Sequence, residues 1–500
     1  VINAAKPRHF SRGVLLTVTS TGVSVISLFV ETIVTARVLS PEVYGTYILL
    51  LAVVNFFVMV ADFGCEAAIT QMIAGSDRER QAMLTNNVVA FRIVTVVVMS
   101  LLIWLARDWL VLFDPTRSVL VYWVYIPVLM TMMTFDELLI NVLQGFQLFK
   151  HIAIAQTGRS LLRVTFSVVA LLVFKLGVPG LFLSWIAAYT LAVLYELVMV
   201  PVRKRFILHR PLMTEMLRFA MPLQATRFLW FLFYRIDILL LGTLAGPLAV
   251  AYYGVANRVP EALQRVSESY IAVYYPTVSS LLARKRDRQV HWYLNHSLRL
   301  VSFLTGAGAL LGVVFNQQIV RLIFSDKYMA SAPAFALLMV AFHMTFMVNL
   351  MGYTLVGARR AGLSLVTNIL RTTTHILADA VLIPLLGFMG PTVAANISAY
   401  INNPAQVLML RRIGIRVAAS AYVKQTALLL LGAGVYWIWQ PQGVLLKLAI
   451  VLAFVVLCVA LSTISMEDFS LVLPERLLRR KATQPGESTF SEGVVEGQVG

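Results

Sequence analysis

The sequence predicts an all-α integral membrane protein of about 14 transmembrane helices, built as two parallel six-helix bundles around a central cleft with two further C-terminal helices. Three observations carry that expectation. Of the 500 residues, 59% are hydrophobic and 13% charged, with a mean hydropathy of +0.80, too apolar for a water-soluble fold. The apolar residues fall in successive runs, each long enough to cross a bilayer and joined by short connections. Features of the first half recur, in order, in the second.

The runs lie near 13–36, 44–73, 82–106, 119–145, 151–174, 178–202, 215–244, 249–282, 292–323, 331–357, 362–386, 389–410, 420–439 and 444–465. The first follows Lys6, Arg8 and Arg12 as a signal peptide would, but it is longer than a secretory h-region and no A-x-A site leads into a soluble domain, so an uncleaved span is expected. The run 249–282 exceeds what a bilayer needs and is expected to tilt, to kink at Pro260 and Pro276, or to project into water. The tail 482–500 is polar and Gly-rich without apolar periodicity, and is expected to be disordered.

Topology follows from the basic residues. Lys6/Arg8/Arg12, Arg78/Arg80, Lys150, Arg203/Lys204/Arg205/Arg210, Arg284/Lys285/Arg286/Arg288, Arg359/Arg360, Arg411/Arg412/Arg416 and Arg476/Arg479/Arg480/Lys481 all fall on one side of the alternation. The positive-inside rule then puts both termini in the cytoplasm of a multi-pass protein. The net charge of +17 is spread over these short clusters and never forms a basic face on a soluble domain, which argues against nucleic acid as a partner. Cys65 and Cys458 stand far apart in apolar runs, so neither a disulfide framework nor a metal-ligand cluster is expected. No cofactor is expected.

The internal repeat runs through the chain. Glu31 and Pro41 recur as Asp237 and Pro247, Arg92-Ile-Val as Arg299-Leu-Val, Gly145 as Gly357, and Arg159/Arg163 as Arg371/His375. Gly177-x-x-Gly180 recurs as Gly387-x-x-Gly390 and Ala188-Tyr189 as Ala399-Tyr400, with offsets drifting only from 206 to 212. Each half holds an even number of spans, so both enter from the same side, related by an axis along the membrane normal. The expected units are an N-terminal bundle over 1–205, a C-terminal bundle over 206–415, two added helices over 416–466 and a cytoplasmic tail over 467–500.

Charges inside the spans are the candidate functional residues. The stretch 225–247 carries Arg227, Arg235 and Asp237, and a charge at mid-membrane costs about 3 kcal/mol, so these side chains face protein or water. Some eight intramembrane arginines left against lipid would cost on the order of 24 kcal/mol, which a wet cationic cleft relieves. Arg159 and Arg163 share one face of the fifth span, as Arg371, His375 and Asp379 do in its counterpart. Such rows either bind a phosphate-bearing ligand, because the guanidinium fork matches phosphate oxygens, or pair with Asp136, Glu137 or Asp379 and join helices. Arg258, Glu261, Arg265 and Glu268 form one stripe, an expected ion-pair ladder from which Arg258 is best placed to reach the cleft. Arg92 and Arg299 either pair in the core or line the cleft. Arg227 and Arg235 flank Trp230, Phe231, Phe233 and Tyr234, on which their cations can stack. The cationic cleft set is therefore Arg92, Arg159, Arg163, Arg227, Arg235, Arg258, Arg299, Arg371 and His375. Glu31, Asp62, Asp237 and Asp379 are candidates for ion coupling, as partners or as carriers. His343 is expected to be a satisfied core residue, and Asp62-Phe63-Gly64 matches a kinase triplet in letters only.

The run from Ala36 to Tyr47, ARVLSPEVYGTY, followed by Asp62-Phe63-Gly64, Ala67 and Ala68, resembles the opening of the polysaccharide transporters of the MOP exporter superfamily, the O-antigen-type lipid-linked oligosaccharide flippases. The likeness spans roughly residues 10 to 465. It implies movement of an undecaprenyl-pyrophosphate-linked sugar from the inner to the outer leaflet of the bacterial inner membrane by alternating access. Membrane lipid, and polysaccharide polymerase and glycosyltransferase neighbours, are its implied partners. A basic residue on the eighth helix of the related lipid II flippases makes Arg258 a match. Two other functions compete. A multidrug exporter of the same superfamily would want an acidic cleft for drug cations, and a glycan polymerase or ligase would want acid, base or metal-binding groups in a large external loop, which the short connections do not supply.

Overall fold

A computed structural model describes residues 7–114, 116–203, 205 and 209–471, the side chains of residues 7–18, 110, 111, 226, 230, 233 and 234 excepted. Lys6, the side chains of Arg8 and Arg12, Lys204 and the tail beyond 471 lie outside the described residues. The described chain is helical, with no strand: α1 (Pro7–Val38), α2 (Pro41–Asp62), α3 (Cys65–Ala74), α4 (Arg78–Leu105), α5 (Tyr125–Gly145), α6 (Phe149–Leu172), α7 (Gly177–Met199), α8 (Arg210–Ala283), α9 (Asp287–Val314), α10 (Asn316–Phe324), α11 (Ala332–Gly357), α12 (Ala361–Leu386), α13 (Gly390–Arg412), α14 (Ala419–Trp439) and α15 (Val444–Ala460). Taking α2 with α3 as one pass, α10 as an appendix of α9 and α8 as two passes leaves the fourteen expected. Nine stretches of the described residues are long and apolar enough on their own to cross a membrane, one of them holding both α12 and α13. Helix α6 carries Arg159 and Arg163 and packs between α1 and α7, where protein covers the charges.

Local chemistry sets the boundaries. Ser40 is extended ahead of Pro41, whose fixed φ suits a first turn. Asp77 caps α4, accepting from the Arg80 N–H at 2.9 Å. Phe63 and Gly64 both have positive φ, which ends α2 and restarts the helix as α3. Gly64 also allows close approach, since a Cβ there would collide with the Ala220 carbonyl of α8.

Two expectations change. Runs 215–244 and 249–282 are not joined by a loop: α8 is continuous apart from Gly246 (φ 79°, ψ 175°), and its backbone stays helical through Pro260 and Pro276. A membrane proline is tolerated where neighbours satisfy the freed carbonyl. The run 292–323 also breaks, because Asn316 turns its amide back to the Val313 carbonyl (2.8 Å) and α10 begins as a separate amphipathic turn.

Helix order repeats in space. In the first bundle α1 packs on α6, α6 on α7 and α5 on α7; in the second α8 packs on α12, α12 on α13 and α11 on α13. The cores show how the bundles meet. At the end bearing Arg78, Arg284, Arg359 and Arg412, here the basic end, there are two cores, one around Ile69, Val88 and Leu143 that also takes in Leu212, Met216 and Ala220 of α8, and another around Tyr274, Leu298 and Leu355. At the opposite end a single core runs through both, from Leu49 and Phe182 to Tyr253, Phe335 and Phe454. The bundles thus share one core at the fused end, and toward the basic end they meet through the first pass of α8.

A polar latch reinforces the fused end. Arg37, at the end of α1, donates through Nε to the Ile323 carbonyl at 2.9 Å and through Nη2 to that of Leu322, the last turn of α10. Lys327 donates in turn to the Arg37 carbonyl at 2.8 Å, and the Tyr328 hydroxyl donates to that of Ala36 at 3.1 Å. Each bundle caps a helix C-terminus of the other with a cation, where carbonyls are orphaned and the helix dipole is negative.

Candidate functional site

The helix break at Asp62 builds the first charged cluster. Ending α2 there frees the Asp62 carboxylate to accept the Glu66 N–H (3.2 Å) at the start of α3. The same carboxylate receives Arg92 of α4 at 2.7 Å and Arg227 of α8 at 2.8 Å. Arg227 extends further to Glu66 at 2.5 Å and to Glu137 of α5 at 2.7 Å. Arg92 is fully buried and also donates to the Ala61 carbonyl at 2.9 Å, whereas Arg227 keeps about a third of its side chain exposed. Five elements therefore meet on two arginines and three carboxylates. The expected stacking of Arg227 and Arg235 on Trp230, Phe233 and Tyr234 falls on side chains outside the described residues.

The paired arginines of α6 take separate partners. Arg159 bonds to Asp136 of α5 and lies over the Tyr189 ring, 4.9 Å from its centroid. Arg163 bonds to Glu31 of α1 at 2.8 Å and lies over Trp185 at 4.5 Å, while the Trp185 indole N–H and the Ser167 hydroxyl donate to the same Glu31. Carboxylates thus take up more of the intramembrane charge than the sequence reasoning gave them.

The second bundle places the equivalent groups differently. Arg371 of α12, the repeat partner of Arg159, donates to Asn349 at 3.2 Å and Thr345 at 3.0 Å on α11, both neutral. It lies on the wall of a cavity of about 650 Å³ enclosed by α8, α11, α12 and α13, which Glu268, Asn368, Tyr353 and Gln406 also line. His375 sits 3.3 Å from Asp379 and 3.3 Å from the Ser398 hydroxyl. Asp237 accepts from the Tyr253 hydroxyl within electrostatic reach of Asp379 and His375. Along α8, Glu261 is the hub of the expected ladder, with Arg258 at 3.2 Å, Arg235 at 3.6 Å and Arg265 at 3.9 Å, while Glu268 leaves it for the cavity. Arg299 stands apart from all of these, bonded to the Ser462 and Thr463 carbonyls behind α15 and 3.8 Å from Asp468.

Sequence reasoning missed two features. Glu196 of α7 is fully buried, and neither of its carboxylate oxygens has a hydrogen-bond partner among the described residues; a lone Glu near the end of an apolar run was its only signal. Asn86 and Asn295 form matching clamps. Asn86 donates to the Arg203 carbonyl (3.0 Å) and accepts from the Arg205 N–H (3.0 Å); Asn295 donates to the Arg416 carbonyl (3.2 Å) and accepts from the Ala418 N–H (2.7 Å). His343 is the satisfied core residue expected, held between Thr305 and Thr426 at 2.9 Å each. Among the described residues no group of three or more His, Cys, Asp or Glu side chains is placed to hold a metal ion.

Comparison with known proteins agrees with this architecture. Residues 10–282 match the family described as polysaccharide biosynthesis protein, and residues 222–381 match the MatE family. No curated protein matches the sequence significantly. Among solved structures, that of the lipid II flippase MurJ in an inward closed conformation is similar with a TM-score of 0.72, 11% identity, and coverage of 90% of this chain and 98% of that one. A multidrug resistance MATE family transporter of the MOP superfamily, inward-facing, gives 0.65, 14% identity and coverage of 78% and 95%. The MATE transporter VcmN of Vibrio cholerae, in a mutant form, gives 0.54, 15% identity and coverage of 81% and 98%. These likenesses speak for the fold, and the match over more than half of the chain speaks for the family. With its doubled six-helix plan and charged interior, the chain belongs to the polysaccharide biosynthesis protein family and has the fold of the MOP-superfamily transporters.

Proposed function

We propose that this transporter flips an anionic lipid-linked oligosaccharide, an undecaprenyl-pyrophosphate-linked sugar, from the inner to the outer leaflet of the bacterial inner membrane by alternating access. The basic end is cytoplasmic in this reading, with both termini there, and the repeat units are 1–205 and 206–415, followed by 416–466 and the tail. The observation that carries it is the cavity at Arg371. Asn349 and Thr345 accept from Arg371 and orient its guanidinium beside a space large enough for a diphosphate and sugar. A guanidinium fork can bind phosphate oxygens in two parallel hydrogen bonds.

The chain's residues then divide the work. Arg371 with His375 receives the anionic head, and the prenyl tail stays in lipid. Arg227 of α8, bonded to Asp62, Glu66 and Glu137 of the first bundle, forms the bonds that exchange as the cleft opens and closes, while Arg235 and Arg258 hold Glu261 within α8. Arg92, Arg159, Arg163 and Arg299 complete the basic interior. Glu31, Asp62, Asp237 and Asp379 are the proposed coupling carboxylates, because Glu31 and Asp62 face arginines and Asp237 and Asp379 lie beside the His375 ring, partners that binding of a proton or metal ion would release. Glycosyltransferases supply the substrate and a polymerase consumes the product. The transporter resemblance of the family gives no support to catalysis by this chain.

The test is restoration of surface polysaccharide in cells lacking the protein. Arg371→Ala should abolish polymer while the protein inserts normally, and Arg371→Lys should restore part of it, a point charge replacing a planar fork. Full polymer from Arg371→Ala removes the residue from the site. The MatE match over 222–381 keeps a drug exporter as the second reading, and cationic-drug resistance conferred by the chain, with polymer unaffected by its loss, would favour that reading.

A further inference from the structure

The basic end of the second bundle holds a cavity of about 740 Å³ between the ends of α8, α9, α11 and α13. Arg359, Arg360 and Arg412 line it against one carboxylate, Asp287. None of the three arginines forms an ion pair among the described residues, in contrast to Arg92, Arg159, Arg163 and Arg227 in the interior. The cavity is a built feature. Arg359 is held at φ 57° in the turn between α11 and α12, and the His291 ring meets the Gly414 carbonyl at 3.3 Å. The Asn295 clamp fixes the segment leading out of α13 along its edge.

Its floor differs from that of its repeat counterpart. The first bundle has a similar cavity of about 670 Å³ lined by Arg78, Arg203 and Arg205, with the Asn86 clamp in the corresponding place. There Gly145 packs against Ile73; in the second bundle the equivalent Gly357 packs against Ser279. The Ser279 hydroxyl lies on the cavity wall, buried and with no hydrogen-bond partner among the described residues. An unanswered buried hydroxyl costs stability unless a ligand or water meets it.

We propose that this cavity binds a phosphate group, with Arg359 and Arg412 supplying charge-assisted hydrogen bonds and Ser279 a neutral donor. Phosphate suits the site because it accepts from several directions at once, and basic pockets between transmembrane helices are read by anionic lipid headgroups. The ligand class has two sources, a phospholipid headgroup of the adjoining leaflet or a phosphate-bearing solute. The site is separate from the cavity at Arg371, so it stands whether or not the proposed transport activity does.

The test is thermal unfolding of the full chain in detergent with added phosphatidylglycerol, phosphatidylcholine or inorganic phosphate, alongside lipid retention by native mass spectrometry. The expected result is a rise in Tm with phosphatidylglycerol that exceeds the rise with phosphatidylcholine. Arg359→Gln with Arg412→Gln should lose at least half of that difference and one retained lipid. Arg359→Lys with Arg412→Lys should keep most of it, which separates loss of charge from misfolding. Ser279→Ala should weaken binding roughly fivefold, the value of one neutral hydrogen bond. Stabilisation by millimolar inorganic phosphate alone, lost in the Gln variant, assigns the site to a solute; stabilisation by the anionic lipid alone assigns it to a headgroup. Equal responses of wild type and the Gln variant in every arm overturn the proposal.

Discussion

Buried charge at single residues is where this protein's stability and its function meet. Arg92 is enclosed with Asp62 at 2.7 Å, both with 1% of the side chain exposed. Removing one partner leaves a stranded charge, so Arg92→Ala should cost about 3–5 kcal/mol in detergent unfolding. Arg80 and Glu215, at 2.6 Å but half exposed, provide the contrast: Arg80→Ala should change stability by no more than about 1 kcal/mol. Equal costs would contradict the burial argument. Asp114, in the connection between α4 and α5, shows a different balance. Burial alone would raise its pKa, but the Ser118 and Thr116 hydroxyls and the Val119 and Thr116 N–H groups all donate to it and hold it below the usual carboxylate range. Its folded value is depressed, so its contribution is full above the unfolded value of about 3.9 and is lost as pH falls through the lower folded value. Amide exchange at Thr116 and Val119 should therefore accelerate only at strongly acid pH, and Asp114→Asn should show fast exchange at neutral pH. Slow exchange in that variant would contradict this account.

At the scale of helices, two helix ends are capped across the bundles, and opening at that end has to break these contacts. Arg37 and Lys327 each satisfy the other bundle's helix C-terminus, and such contacts are worth about 0.3–1 kcal/mol apiece. Losing both should shift the equilibrium toward a form open at that end by roughly tenfold, for about 1.4 kcal/mol. Spin labels at the exposed Val43 and Leu322 should then report a longer distance population in Arg37→Ala/Lys327→Ala than in wild type; an unchanged distribution would show that the latch has no part in gating. Helix α8 is also where the sequence was least informative. Apolar periodicity located both of its passes but could not show that Gly246 alone separates them, because one residue of positive φ leaves no gap in hydropathy. The Phe63–Gly64 break was likewise hidden inside one apolar run, although the Asp62 beside it turned out to organise four elements.

Over the whole molecule, the repeat was legible because helix contacts and charged positions copy together. Glu31 with Arg163 and Asp237 near His375 occupy corresponding places, and the two asparagine clamps extend the pattern to residues no motif would flag. The partners of each arginine were not legible, since pairing depends on which helix faces lie adjacent, and sequence order does not give that. Arg159 and Arg371 match in the repeat, yet one meets Asp136 and the other Asn349 and Thr345. Two cores stand at the basic end and one shared core at the other, and Arg371 lines the cavity between α8, α11, α12 and α13. The measurement that bears most directly on this account is transbilayer movement of an undecaprenyl-pyrophosphate-linked oligosaccharide in vesicles reconstituted with the pure chain. Wild type should move it, Arg371→Ala should be at least about tenfold slower for the loss of one bidentate contact, and no organic cation should follow. Movement by Arg371→Ala at the wild-type rate, or transport of a cationic drug in place of the glycan, would contradict it.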